Sequence, residues 1–208
     1  MPQPPFDPTK AVMFDLAHGL VHLEDAPSRL LVPAEALAQL ARAAGPEASA
    51  IFARALGEPL GLRVARRLSG GSGGSPDAPP GTPPGTEGTR GASIEAVIDH
   101  LGGELALAGL GSLSLERWGR AMLLLVDQSP LARDGDDLLA GVLEAALGRA
   151  AGRPLRCLVL THDPVRVRLL VAAEAAAERA RGWLREGITW GEVLARLHAP
   201  PPEARGAA

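Results

Sequence analysis

The chain has 208 residues, 46% of them hydrophobic and only 3% aromatic, with a formal charge of −3. That is the length of one domain with appendages, with enough apolar content for a real core, which must be aliphatic. The charge argues against a general binder of nucleic acid or anionic membranes. No apolar run reaches the ~20 residues that span a bilayer, and the lone Cys157 excludes an internal disulfide and a cysteine-based zinc site.

Lys10 is the only lysine, and the basic residues are otherwise arginine. With the heavy use of Ala, Gly and Pro this reads as a codon-composition effect, so single arginines carry little functional weight. Residues 1–10 are Pro-rich and lack a charged stretch followed by an apolar one. They read as a flexible arm and not a secretory signal, which makes cytoplasm the expected location. Short strands are predicted at 11–16 and 20–23 around a turn at His18-Gly19, and a third apolar run lies at 29–32. Pro33 suits the first turn of a helix over 34–44, with Leu37, Leu40 and Ala41 on one face. Gly45-Pro46 ends that helix and begins the next, over 46–68, which is predicted to break near Pro59. Ile51, Phe52, Leu56, Leu60 and Val64 form its apolar stripe. Gly57 and Gly61, four apart, either permit close backbone approach to another helix or accommodate the Pro59 kink.

Residues 69–91 are a Gly, Ser, Pro and Thr insertion with no apolar anchor, predicted to be disordered. Their first half looks like an engineered Gly-Ser linker; the continuation into Pro and Thr favours a natural insertion. Ser93 caps a helix over 94–108 carrying Ile94, Val97, Ile98, Leu101 and Leu105, with Gly109 at its C-terminal cap. Strands at 112–117 and 120–127 turn around Trp118-Gly119, the second a continuous apolar run expected at the centre of its sheet. An acidic loop, 134–137, precedes a helix to about 150 whose Leu139, Val142, Leu143, Ala146 and Leu147 face inward. A second hairpin pairs 155–161 with 165–172 across His162-Asp163-Pro164; alternation through Val165, Arg166, Val167 and Arg168 places its arginines in water. Helical segments at 173–186 and 190–198 follow. The second opens on a capping box, Thr189 to Glu192, with Ile188 and Val193 as a hydrophobic staple. Residues 199–208 read as a frayed tail.

The chain carries no phosphate loop, dinucleotide fingerprint, nucleophile elbow or zinc helix. Asp134, Asp136 and Asp137 are candidate cation ligands, but acids in a first helical turn are equally expected from the helix dipole. His18, His22 and His162 sit at turns and could meet around a metal, although their spacing does not require it. His100 beside Asp99 reads as a solvated pair, and Cys157 as a small buried hydrophobe. Trp183 and Trp190 either pack the C-terminal helices onto the sheet or form a partner-docking face. No metal or cofactor is implied.

The order of elements, with Pro33, Gly57, Gly61 and Ser129-Pro130 as punctuation, resembles the 4-vinyl-reductase (hydrocarbon-binding) domain, a relative of TRAPP-type trafficking subunits, over residues 11–172. It is more weakly similar to the D subunit of bacterial cellulose synthase, an oligomeric scaffold. The resemblance implies an α+β fold: an antiparallel sheet of short hairpins with helices packed on one side, here extended by C-terminal helices over 173–198. It also implies a homodimer formed through helices, and binding of a hydrophobic small molecule or a protein partner. Many members carry a cysteine-containing metal cluster, which a chain with Cys157 alone cannot build. The expectation is therefore a non-enzymatic dimeric binding domain, with a scaffold or adaptor subunit as the alternative. Gly57 and Gly61, with Phe52, Leu56 and Leu60, are the candidate dimer or packing contact.

Overall fold

The computed structural model describes residues 12–18, 20–23, 26–29, 32–69, 92–131 and 133–198. The expected arm at 1–10, the insertion at 69–91 beyond its first residue, and the tail at 199–208 lie outside the described residues.

The first hairpin extends into a small antiparallel sheet of β1 (Val12–Asp15), β2 (Leu20–Leu23) and β3 (Ala26–Arg29). The third strand falls three residues before the apolar run expected at 29–32. Val12 pairs with Leu23 and Phe14 with Val21, so by strand alternation these four share one face. Met13 with His22 and Asp15 with Leu20 make the other.

Helix α1 (Ala34–Ser69) is interrupted at Gly45, whose φ of 84° is left-handed backbone that glycine adopts without cost. Pro46 then opens the second segment, and Ser49 donates its hydroxyl across the break to the Ala41 carbonyl at 2.6 Å. The break expected near Pro59 does not occur: the helix runs through it. Pro59 and Ala55 are both exposed, so the carbonyl that loses its partner four residues back faces water. Leu40 and Ile51, expected on the buried stripe, also face solvent.

Ser93 caps α2 (Ile94–Leu107), accepting from the Ala96 N–H at 3.2 Å. A four-stranded antiparallel sheet follows, ordered β4-β5-β7-β6, from β4 (Ser112–Trp118), β5 (Ala121–Asp127), β6 (Arg156–His162) and β7 (Arg166–Ala172). A 3-10 turn (Arg133–Gly135) leads into α3 (Asp136–Ala151), which joins β5 to β6. β5 is central as expected: Leu123, Leu124, Leu125 and Val126 are all buried, on both sides of the sheet.

Two layers of helix meet those two faces. On one, α1, α2 and α3 cover Leu124, Val126, Val167, Leu169 and Val171. On the other, α4 (Glu174–Arg185) and α5 (Trp190–His198) cover Leu123, Leu160 and Leu170 with Ala180, Val193 and Leu194. The C-terminal helices thus belong to the folded body, a point that sequence left open. Thr189 caps α5, accepting from the Glu192 N–H at 3.4 Å, and Ile188 and Val193 join the same apolar cluster. The Glu192 carboxylate reaches forward to Arg196 at 2.7 Å and does not close the box.

Candidate functional site

The close approach of α1 to α3 shapes the main concavity. Ala53, Gly57 and Gly61 recur every four residues along α1 and meet Gly141, Ala145 and Ala146 of α3. A Cβ on Gly57 would lie 2.8 Å from the Ala145 Cβ, and one on Gly61 2.9 Å from the Arg149 Cβ. Both glycines would also strike α3 carbonyl oxygens. This helix contact is within the chain. Leu60 is buried beside it, with Phe52 and Leu56 partly buried on the same core.

Where small side chains line this seam and β6 enters below it, an open groove of about 650 Å³ remains. Ala50, Gly141, Ala145, Gly148 and Leu155 supply small or apolar surface. Arg54 and Glu58 of α1, Arg149 of α3, and Arg156 add charge. Arg156, the first residue of β6, donates to Glu144 of α3 and to Glu174, the first residue of α4, at 2.6 Å each. Those two carboxylates, Glu174 foremost, hold the guanidinium above its ordinary range. Glu144 also accepts from the Cys157 N–H at 3.2 Å. Sequence reasoning missed this groove, because its parts come from four separated segments.

A second, smaller concavity of about 350 Å³ lies between α2 and β4, where Arg117 donates to Glu95 at 2.5 Å beside Ile98, Leu113 and Leu115.

Glu104 was also missed. It is fully buried on α2 and clamped by Arg63 Nε at 2.5 Å and by Arg67, one helical turn apart on α1. An acid inside the apolar run around Leu101 and Leu105 was the available signal, since a buried carboxylate requires paired partners.

The remaining sequence candidates separate. His18 Nδ1 lies 2.8 Å from Asp15 within its own turn. His162 Nδ1 lies 2.6 Å from Asp136, joining the end of β6 to the start of α3. Burial raises the Asp136 carboxyl above its usual range, against the lowering effect of His162. Asp134 pairs with Arg42. Among the described residues no three His, Cys, Asp or Glu side chains gather as a metal site. Cys157 is buried, and desolvation pushes its thiol far up, which favours the protonated form.

Trp183 and Trp190 pack on the apolar cluster beneath α4 and α5. Trp190 meets Trp118 edge-on at 5.4 Å, and the Arg168 guanidinium lies 5.1 Å from its ring. Arg168 is therefore largely withdrawn from water, against the expectation from the strand alternation. α5 arrives on that face and covers it, while Arg166 pairs with Asp127 at 2.6 Å. His198 locks α5 in place. Its Nδ1 donates to the Leu194 carbonyl at 2.6 Å, and its Nε2 accepts the Arg120 N–H at 2.7 Å at the β4–β5 turn. Gly119 in that turn has φ 58°, and a Cβ there would fall 2.8 Å from the same imidazole nitrogen.

Among the described residues no helix is long and apolar enough to cross a membrane. No family model and no curated protein matches the sequence. Among solved structures, the chain is similar to the phenol-responsive sensory domain of the transcription activator PoxR, crystallised with phenol. The match covers 93% of this chain and 94% of that one, with a TM-score of 0.51 and 14% sequence identity, and it shows a shared fold.

Proposed function

We propose that this chain is a non-enzymatic, dimeric sensing domain that binds a hydrophobic small molecule. The observation that carries the reading is the fold likeness to a phenol-responsive sensory domain, which covers 93% of this chain. The resemblance of element order to hydrocarbon-binding domains points the same way, and the buried, protonated Cys157 supports a binding role over nucleophilic chemistry. We place the ligand in the groove between α1, α3 and β6. Its volume lies within the roughly 300–1,000 Å³ usual for small-molecule sites, and its small-residue walls admit a planar ring while Arg54, Arg149 and Arg156 offer donors to a hydroxyl or carboxylate.

Native mass spectrometry of the full chain as purified, followed by thermal melts with phenol and larger aromatic or aliphatic compounds, tests this. A ligand at a hundred times its Kd stabilises by about 2.7 kcal/mol, which raises Tm by roughly 5–10 °C for a chain of this size. Ala50→Trp, which fills the groove from an exposed helix position, removes the shift. A chain that carries nothing and whose Tm no compound moves refutes ligand binding.

A second reading, a scaffold or adaptor subunit without a small-molecule ligand, is favoured by the filling of the interior. Leu101, Leu105, Leu124, Leu143 and Leu147 leave no exposed surface between the helices and the sheet, and both concavities described above are open. A stable assembly with no bound compound and no thermal response supports it.

A further inference from the structure

We infer that His198 is a proton-sensitive latch: it holds the last turn of α5 on the β4–β5 turn while its imidazole is neutral and lets go when the imidazole is protonated. The latch belongs to the outer helical layer and is independent of any occupant of the groove.

The contacts around the ring admit one protonation state. A backbone carbonyl only accepts and a backbone N–H only donates. The Leu194 carbonyl at 2.6 Å therefore requires the proton on Nδ1, and the Arg120 N–H at 2.7 Å requires a bare lone pair on Nε2. The Ala121 N–H, at 3.3 Å, points to the same lone pair. The ring sits against Gly119, where a Cβ would fall 2.8 Å from Nε2 and 3.1 Å from Cδ2. A second proton goes to Nε2 and sets one N–H against another, so the imidazolium cannot keep this seat.

Only a difference between two states moves an equilibrium. The Leu194 carbonyl and the C-terminal dipole of α5 both favour a cation at this end, but they belong to α5 itself and travel with it. The contact with Arg120 alone separates the docked turn from the released one. Among the described residues no carboxylate makes an ion pair with His198. Glu192 of α5 turns to Arg196 at 2.7 Å, and Glu178 of α4 to Arg181. Glu116 of β4 accepts from the Trp118 indole at 2.6 Å and faces Arg168 of β7 at 3.7 Å. The turn itself adds the cation of Arg120. His198 is exposed, so protons reach it without unfolding, and histidine is the side chain whose charge ordinarily changes between pH 5 and 8. The start of α5 is held separately, by Val193 and Leu194 in the apolar cluster and by Trp190 against Trp118 at 5.4 Å, which confines the release to the last turn.

The test is amide exchange of the full chain by NMR across the range in which histidine changes charge, pH 8 to 5, with each rate corrected for the intrinsic pH dependence of exchange. The natural chain is compared with His198→Gln, whose amide oxygen can accept the Arg120 N–H but does not titrate. A neutral hydrogen bond is worth about 2–12-fold in an equilibrium, so protection of the Arg120 N–H is expected to fall at least ~3-fold along a one-proton curve. Protection at Leu124 and Val126, in the centre of the sheet, should stay level, and His198→Gln should show no step at Arg120. A smaller fall in the natural chain, or the same step in His198→Gln, overturns the latch. A parallel loss of protection at Leu124 and Val126 overturns it as well, because the acid response then belongs to the whole body.

Discussion

Glycine-to-alanine substitution separates the α1–α3 contact from Gly148 and Gly182, which lie outside it, by the sign of its effect. In a helix interior the exchange gains about 0.8–1 kcal/mol from backbone propensity. At Gly182 on α4 an added Cβ meets nothing within 4 Å, and at Gly148 on α3 it meets the Arg153 carbonyl at an ordinary 3.6 Å. Both substitutions are therefore expected to stabilise by about 0.5–1 kcal/mol, or roughly 1–4 °C in Tm. At Gly61 the same methyl runs into the Ala146 carbonyl oxygen and lies 2.9 Å from the Arg149 Cβ. Backbone cannot rotate aside as a side chain would, so the helices must separate by about 1 Å to restore normal contact. Val142, Leu143, Ala146 and Leu147 are fully buried along α3, and separation loosens all of them. Overpacking of this kind costs about 1–3 kcal/mol or more, which exceeds the propensity gain. Gly61→Ala is expected to lose up to about 2 kcal/mol net, a fall of up to roughly 8 °C, read by urea titration at constant m and by calorimetry. A Gly61→Ala chain that melts with or above Gly182→Ala refutes the intramolecular contact.

Glu104→Ala removes the shared partner of Arg63 and Arg67 and is expected to cost about 3–5 kcal/mol, measured as a fall in the urea midpoint; a loss under about 1 kcal/mol would mean that the arginines find water instead. Cys157 should resist a thiol reagent in the native chain at neutral pH and react at once in urea, whereas native labelling at the rate of a free thiol would contradict its burial. The hydrogen bond from Arg166 holds the Asp127 carboxyl below the ordinary aspartate range, so the pair contributes stability that is present above that range and lost as pH falls through the lowered folded value. The stability gap between the natural chain and Arg166→Ala should thus be level from pH 5 to 8 and close below pH 4; a gap that persists in acid means the arginine acts through packing. His198→Ala should free α5 from the β4–β5 turn and speed amide exchange at Arg120 and Ala121, and unchanged exchange would remove the lock.

What was legible in the sequence was local. The inward stripe of α3, the Ser93 and Thr189 caps, and the two hairpins of the larger sheet are each written within a dozen residues, and each formed where expected. The misplaced features all depended on distant partners. Leu40 and Ile51 fit a helical stripe, but the layer of α3 reaches the opposite side of α1, where glycine and alanine stand. Pro59 reads as a break only if its side of the helix is buried. Arg168 reads as solvated until α5, some twenty residues later, lays Trp190 against it. The groove was invisible for the same reason: a trough left by small residues has no motif, and Glu144, Arg156 and Glu174 carry no signal until the sheet order brings them together.

That sheet order also governs how the two sides of the molecule are joined. β5 and β7 are apolar on both faces, so neither helical layer can leave without exposing Leu123 and Leu170 on one side or Leu124 and Leu169 on the other. Arg156 sits at the margin of this arrangement, with one guanidinium holding α3 through Glu144 and α4 through Glu174. The strands separate the groove from α5, but α4 begins at the groove itself. A molecule that binds there through Arg156 competes with Glu174 for the same donors, whereas one held by the apolar walls leaves that bridge intact. The polarity of an occupant, more than its size, therefore determines whether its presence reaches the outer helical layer.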